Sequence, residues 1–200
     1  PKYLSKGIKT KLVPIVSSGR AASIISNKWM QNYKYLPDAF VVEGPKAGGH
    51  LGYKLNELQD ENITLEKLVA DVLKVTSLIK EKFKKAIPVI AAGGIFNGND
   101  VYKIMKQGAS GVQLGTRFVA TEECDASIHF KNAFIEAKEE NIKIIKSPVG
   151  LPGRTIYNRF LTDAIDGKRK PSSCKYNCIK TCNPNTTIYC IAQALLTTPK

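Results

Sequence analysis

The chain has 200 residues, 43% of them hydrophobic, with 30 basic and 17 acidic side chains and a formal net charge of +13. That apolar content supports one ordinary core and excludes a chain disordered by composition, while no apolar run approaches the length of a bilayer span, so no transmembrane helix or membrane partner is expected. The positive charge is mostly lysine with acidic residues between, lacking an arginine stripe or an interleaved aromatic platform; this reads as a solvated surface attractive to phosphorylated small molecules, with no nucleic-acid partner.

No signal peptide is visible, and the first residue is Pro1 rather than Met, as expected of a fragment or a processed product. Five cysteines without a secretory context read as reduced thiols, hence a cytoplasmic location.

In chain order, residues 11–16 (KLVPIV) form a short apolar run ending in Ser17, Ser18 and Gly19. Residues 20–32 read as a helix with Ala22, Ile25, Trp29 and Met30 on its apolar side. A second apolar run, 39–42, lies between Pro37-Asp38 and Gly44-Pro45. Thr64 is the expected N-cap of a long helix, but Lys67 stands where a capping-box glutamate would, so no box is expected. Its apolar spacing runs through Leu68, Val69, Val72, Leu73, Val75 and Leu78. Residues 87–92 (IPVIAA) are a third strand, followed by Gly93-Gly94; Asn99 or Asp100 then starts a helix carrying Val101, Ile104 and Met105 and ended by Gly108. Residues 111–114 (GVQL) are a fourth strand ending at Gly115-Thr116, and a helix over 126–139 follows.

Strand and helix thus alternate four times, and each short strand is mostly apolar, as when both faces of a parallel sheet are covered. An open α/β sheet and a piece of a (β/α)8 barrel both fit that alternation. A barrel takes about 250 residues and eight strands, and its phosphate site commonly lies on the loops after the last two. The tandem AAGGI and LGT loops look like that pair. The expected fold is therefore α/β, the C-terminal part of a TIM (β/α)8 barrel with four strand–helix units over residues 1–165, plus an extension over 166–200.

The loops at the strands' carboxyl ends carry the chemistry. Amides in the turn around Gly93 and Gly94 can face a phosphate with no side chain in the way. Gln113, Leu114, Gly115 and Thr116 can do the same on the next strand, with the Thr116 hydroxyl as a further donor. Neither loop is a P-loop or a GxGxxG fingerprint. His50 follows Gly48-Gly49 just past a strand's end, and an imidazole can exchange a proton near neutral pH, so His50 is the candidate general base. His129, in a helical segment, reads as structural or exposed.

The segments EGPKAGGHLG (43–52), IPVIAAGGI (87–95) and GVQLGTRF (111–118) resemble, in order, three signatures of the nitronate monooxygenase family, formerly called 2-nitropropane dioxygenase. They also occur in its relative, the FMN-dependent enoyl-acyl-carrier-protein reductase. The resemblance spans residues 11–165. It implies FMN as cofactor, with Gly93, Gly94, Gln113, Leu114, Gly115 and Thr116 around the phosphate and Gly48 and Gly49 against the flavin. Glu43 takes a cofactor-contacting place where many nitronate monooxygenases carry Gln. It implies that His50 takes the α-proton of a nitroalkane, and that nitronate and oxygen yield a carbonyl compound and nitrite. Enoyl reduction with NAD(P)H, and a non-catalytic phosphate-binding scaffold, are the alternative functions. The remaining barrel half, or a second copy of the chain, is the expected partner.

Beyond the fourth strand, 147–154 (SPVGLPGR) reads as a rim loop or a substrate wall with Arg154 near an anionic group. Cys174, Cys178 and Cys182 recur every four residues and would share one helix face. With Cys190 they number the four thiolates a metal or cluster needs, but CxxxC spacing is weak evidence, and the expectation is no metal. Residues 189–196 read as a short helix docking through Ile191 and Leu195.

Overall fold

The computed structural model describes residues 1–2 and 9–197. Its elements are β1 (Ile15–Val16), α1 (Gly19–Tyr33), β2 (Phe40–Glu43), β3 (Gly49–His50), α2 (Leu65–Phe83), β4 (Val89–Ala92), α3 (Gly98–Lys106), β5 (Gly111–Gln113), α4 (Thr116–Val119), α5 (Ile128–Ile135), β6 (Ile142–Lys146), β7 (Pro152–Ile156), α6 (Arg159–Ile165) and α7 (Ile191–Thr197). Two compact units divide the chain, one of residues 1–47 and 56–114, the other of 48–55 and 115–200.

The first unit holds a parallel sheet in the order β1-β2-β4-β5. Spatial order follows chain order, as in a barrel wall, with none of the order reversal of a doubly wound sheet. The α/β fold is thus that of four strand–helix units of a (β/α)8 barrel. Phe40 and Val42 are fully buried and Val41 nearly so, which is why β2 has no polar alternation.

Helix α2 covers this sheet with Leu65, Val69, Val72, Thr76 and Ile79, a four-three-four-three spacing that keeps one stripe inward. Leu78, assigned to the apolar stripe from sequence, is 65% exposed because the buried stripe runs through Thr76 and Ile79 instead. The Thr64 hydroxyl accepts the Lys67 N–H, as expected. At Gly19 a Cβ would stand 3.1 Å from the Asp71 carbonyl oxygen, so glycine lets α1 and α2 approach.

Helix α3 starts earlier than the sequence reading placed it. The Asn97 side chain accepts the N–H groups of Asn99 and Asp100, and the Asp100 carboxylate accepts those of Phe96 and Asn97, closing a capping box.

The second unit holds an antiparallel sheet, β3-β7-β6, which the sequence did not announce. The segment read as a rim loop runs into a strand: β6 and β7 form a hairpin across residues 147–151, with Gly150 at φ +87°, and residues 152–154 belong to β7. Helix α5 is shorter than expected, and residues 166–190 contain no helix, so the three cysteines share no helix face. Nor does Leu195 dock α7; it is 73% exposed.

Candidate active site

In the first unit, parallel pairing sets Glu43 beside Ala92 and Ala92 beside Gln113, so three consecutive strands deliver their following residues to one end of the sheet. The turn after β2 is pinned there: Gly44 N–H donates to the Ala92 carbonyl at 2.8 Å, and Ala47 N–H to the Gly44 carbonyl at 3.1 Å. The turn after β4 packs directly on it. Gly93 and Gly94 take φ of +92° and +84°, and a Cβ at either would stand 3.0 and 2.9 Å from Ala47 and Lys46 respectively. Side chains are thus barred from this turn by conformation and by space. Among the described residues neither glycine gives its N–H to a backbone acceptor, which fits an anion-binding turn.

Glu43 is partly buried, and burial pushes its carboxyl above the ordinary carboxylate range. Leu114 packs against the core, and Gln113 is exposed.

In the second unit, Gly48, Gly49 and His50 are exposed, and Gly49 takes φ +73°. No atom lies within 4 Å of where a Cβ would stand at Gly48 or Gly115, so protein packing does not demand glycine at either place. Thr116 opens α4, a single four-residue turn.

β3 pairs with β7, placing Gly49 opposite Arg154 and His50 opposite Gly153, and Leu51 N–H donates to the Pro152 carbonyl at 2.9 Å. That register brings His50 Nε2 to 2.6 Å from the Oγ of Ser147, which is only 4% exposed. The imidazole is therefore open to solvent on one side and held by a buried hydroxyl on the other. Desolvation lowers the Arg154 guanidinium's pKa.

Sequence reasoning singled out His50 but not Ser147, the hydroxyl that stands beside its ring. Ser147 begins the Gly/Pro segment already noted, but the position carries no motif. His129 is exposed on α5. All five cysteines are unpaired thiols. Burial raises the Cys182 thiol's pKa, with smaller contributions from Cys174, Cys178 and Cys190. Among the described residues no three His, Cys, Asp or Glu side chains are placed to hold a metal ion.

The nitronate monooxygenase family model matches residues 4–200. The chain belongs to the nitronate monooxygenase family. It is 36% identical over 146 residues to a probable nitronate monooxygenase of Staphylococcus aureus strain Newman, an alignment covering 72% of this chain and 38% of that relative. Among solved structures, FabK from Thermotoga maritima superposes with a TM-score of 0.58 at 29% identity, over 80% of this chain and 43% of that one. A nitroalkane oxidase from Streptomyces ansochromogenes gives 0.57 at 28% identity, over 77% and 40%. This nitronate monooxygenase family member thus spans about two fifths of the length of the curated relatives it matches.

Proposed function

We propose that the chain is part of an FMN-dependent nitronate monooxygenase, which oxidises alkyl nitronates, and nitroalkanes through them, to carbonyl compounds and nitrite with oxygen. Residues 1–165 supply its barrel portion and 166–200 an extension. The observation that carries this reading is the held imidazole: His50 is exposed for a substrate and anchored through Nε2 by buried Ser147. A base must be both within reach and oriented, and this one is.

In the first unit, Gly93, Gly94, Gln113 and Leu114 are assigned to the FMN phosphate, with Glu43 as a flavin contact. In the second, Gly48, Gly49, Gly115 and Thr116 are assigned as cofactor contacts. The bare turn at Gly93 and Gly94 supports the phosphate assignment, since its amides face no side chain of its own. Bound FMN supplies the electron and oxygen chemistry that side chains lack. His50 takes the α-proton of a neutral nitroalkane on its open ring nitrogen, and Ser147 keeps the ring from turning away.

Five unpaired thiols favour a cytoplasmic site of action, and no helix among the described residues is long and apolar enough to cross a membrane.

The test starts with the flavin absorption of the purified protein; a chain that stays colourless after reconstitution with FMN supports a scaffold instead. Oxygen uptake on adding a nitronate, without nicotinamide, supports the monooxygenase, while NADH oxidation driven by an enoyl thioester assigns the reductase reaction. His50→Ala is expected to cut turnover of neutral nitroalkane by about a hundredfold or more, and turnover of pre-formed nitronate much less. Equal losses on both substrates contradict the base assignment.

A further inference from the structure

We propose that the second unit holds a binding site for a small nucleotide, formed by the loop of residues 168–176 and the residues of α7. A cavity of about 370 Å³ lies there, within the range of about 300–1,000 Å³ that small-molecule sites occupy. Its lining includes four cations, Lys168, Arg169, Lys170 and Lys175, and no carboxylate. None of its lining residues is among those assigned to the base or the flavin.

Two carboxylates outside the lining neutralise part of that charge. Asp163 meets Lys168 at 3.7 Å and Arg169 at 3.4 Å, and Asp166 meets Lys168 at 3.1 Å. Among the described residues, Lys170 and Lys175 have no carboxylate within ion-pair distance. Four cations against two carboxylates leave two positive charges for an anion to complete. A concave surface of one sign concentrates its potential. The lysines of α2 differ, being interspersed with acids: Lys74 stands 3.1 Å from Asp71.

The neutral polar groups of the cavity suit the same ligand. The Ser172 and Ser173 hydroxyls and the Gln193 amide make no hydrogen bond among the described residues. Phosphoryl oxygens accept from ammonium, guanidinium, hydroxyl and amide donors alike. The Arg169 guanidinium is already oriented, lying 4.6 Å from the centre of the Phe160 ring while one nitrogen reaches Asp163. Its planar fork has five N–H groups, so donors remain for a phosphate.

Aromatic side chains stand beside the charge. Phe160 and Tyr189 are half-buried and meet edge-on, with ring centroids 5.2 Å apart. Tyr176 also lines the cavity, is 43% exposed and meets no other ring among the described residues. A flat base can stack on such a ring. Phosphates for the cations and a flat base for Tyr176 together describe a nucleotide, whereas inorganic phosphate satisfies only the first.

Calorimetric titration of the 200-residue chain with ADP, pyrophosphate and adenosine tests the site. ADP should bind saturably, pyrophosphate about tenfold more weakly for want of stacking, and adenosine more weakly still. Lys170→Gln and Lys175→Gln should each weaken ADP by about tenfold. Tyr176→Leu should weaken ADP but not pyrophosphate. All three side chains are exposed, so the variants should fold. Amide shifts on adding ADP should gather in residues 168–176 and 190–197.

An absence of saturable ADP binding overturns the proposal. So does binding that both lysine variants leave unchanged, or amide shifts confined to residues 93–95 and 113–116, which would put ADP on the flavin turn. Equal affinities for ADP and pyrophosphate overturn the nucleotide assignment, and an oligonucleotide bound far more tightly than ADP assigns the surface to nucleic acid instead. A chain inactive on nitroalkanes can still pass this test, so the two readings fail separately.

Discussion

Glu43 ends β2 partly buried, and burial raises its carboxyl above the ordinary range. A carboxyl raised on folding holds its proton more tightly in the folded chain than in the unfolded one. Its contribution to stability falls as pH rises through the unfolded value toward the raised one, and stays reduced above it. Glu43→Gln has no such proton to lose. Denaturant midpoints of the two proteins should coincide at about pH 3 and separate above about pH 5, the glutamine variant being the more stable; equal or lower stability at neutral pH would mean that the ionised carboxylate is compensated by its neighbours. At this scale the sequence was informative where function needs a local pattern. The glycine run before His50 and the turn at Gly93 and Gly94 stand out by composition. Ser147 does not, because its tie to His50 joins residues 97 apart in the chain through a two-residue strand. A pairing that short leaves no periodicity to read.

Among the elements, β2 is anchored by Asp38, two residues before it. Desolvation pushes the Asp38 carboxyl up, but the Tyr35 hydroxyl, the Leu12 N–H at 2.9 Å, Lys85 and Lys11 outweigh it and hold the carboxyl below its usual range. One side chain thus ties the approaches of β1, β2 and β4 together. Asp38→Ala should cost about 2–3 kcal/mol in denaturant unfolding at neutral pH, since it strips charged hydrogen bonds from partly buried donors. A depressed carboxyl stabilises above its unfolded value and stops doing so as pH falls through the folded one, so the deficit should vanish in acid; a deficit unchanged in acid would point to lost packing instead. The elements legible in sequence were those with a long period or two buried faces: α1, α2, β2 and β4. The sheet of the second unit was not, for a physical reason. Every residue of β6 is at least partly exposed, and β7 begins with Pro152-Gly153, so neither shows the alternation or apolar run that marks a strand. Their existence depends on each other and on β3, a tertiary cause invisible in any one window. The early start of α3 was in principle readable, because Asn97 and Asp100 have the spacing of a capping box.

At the scale of the whole molecule, the sheets end in edges. β1 and β5 are the terminal strands of the parallel sheet, and β6 is a terminal strand of the antiparallel one. Among the described residues, each has backbone groups on one side without a neighbouring strand. Ile15 on β1 is 59% exposed, and Ile142 and Ile144 on β6 are 47% and 37% exposed. Barrels abolish such edges by closure, and an unprotected edge with apolar side chains is a template for another chain. This chain matches 38% of the length of its curated relative, so closure of the parallel sheet calls for strands beyond β1 and β5, from further sequence or from a second copy. The 200-residue chain expressed alone should therefore associate. Light scattering at about 50 µM, within the range where exposed edges drive aggregation, should give a mass above that of the monomer. Ile15→Lys should reduce that mass, because a charge on an edge strand opposes strand addition, and Ile142→Lys tests the second sheet in the same way. If only the β1 variant responds, association runs through the parallel sheet, as a divided barrel requires. A strictly monomeric chain with both edges unaltered would show that residues outside the sheets already shield them, and the case for a partner half would fall with it.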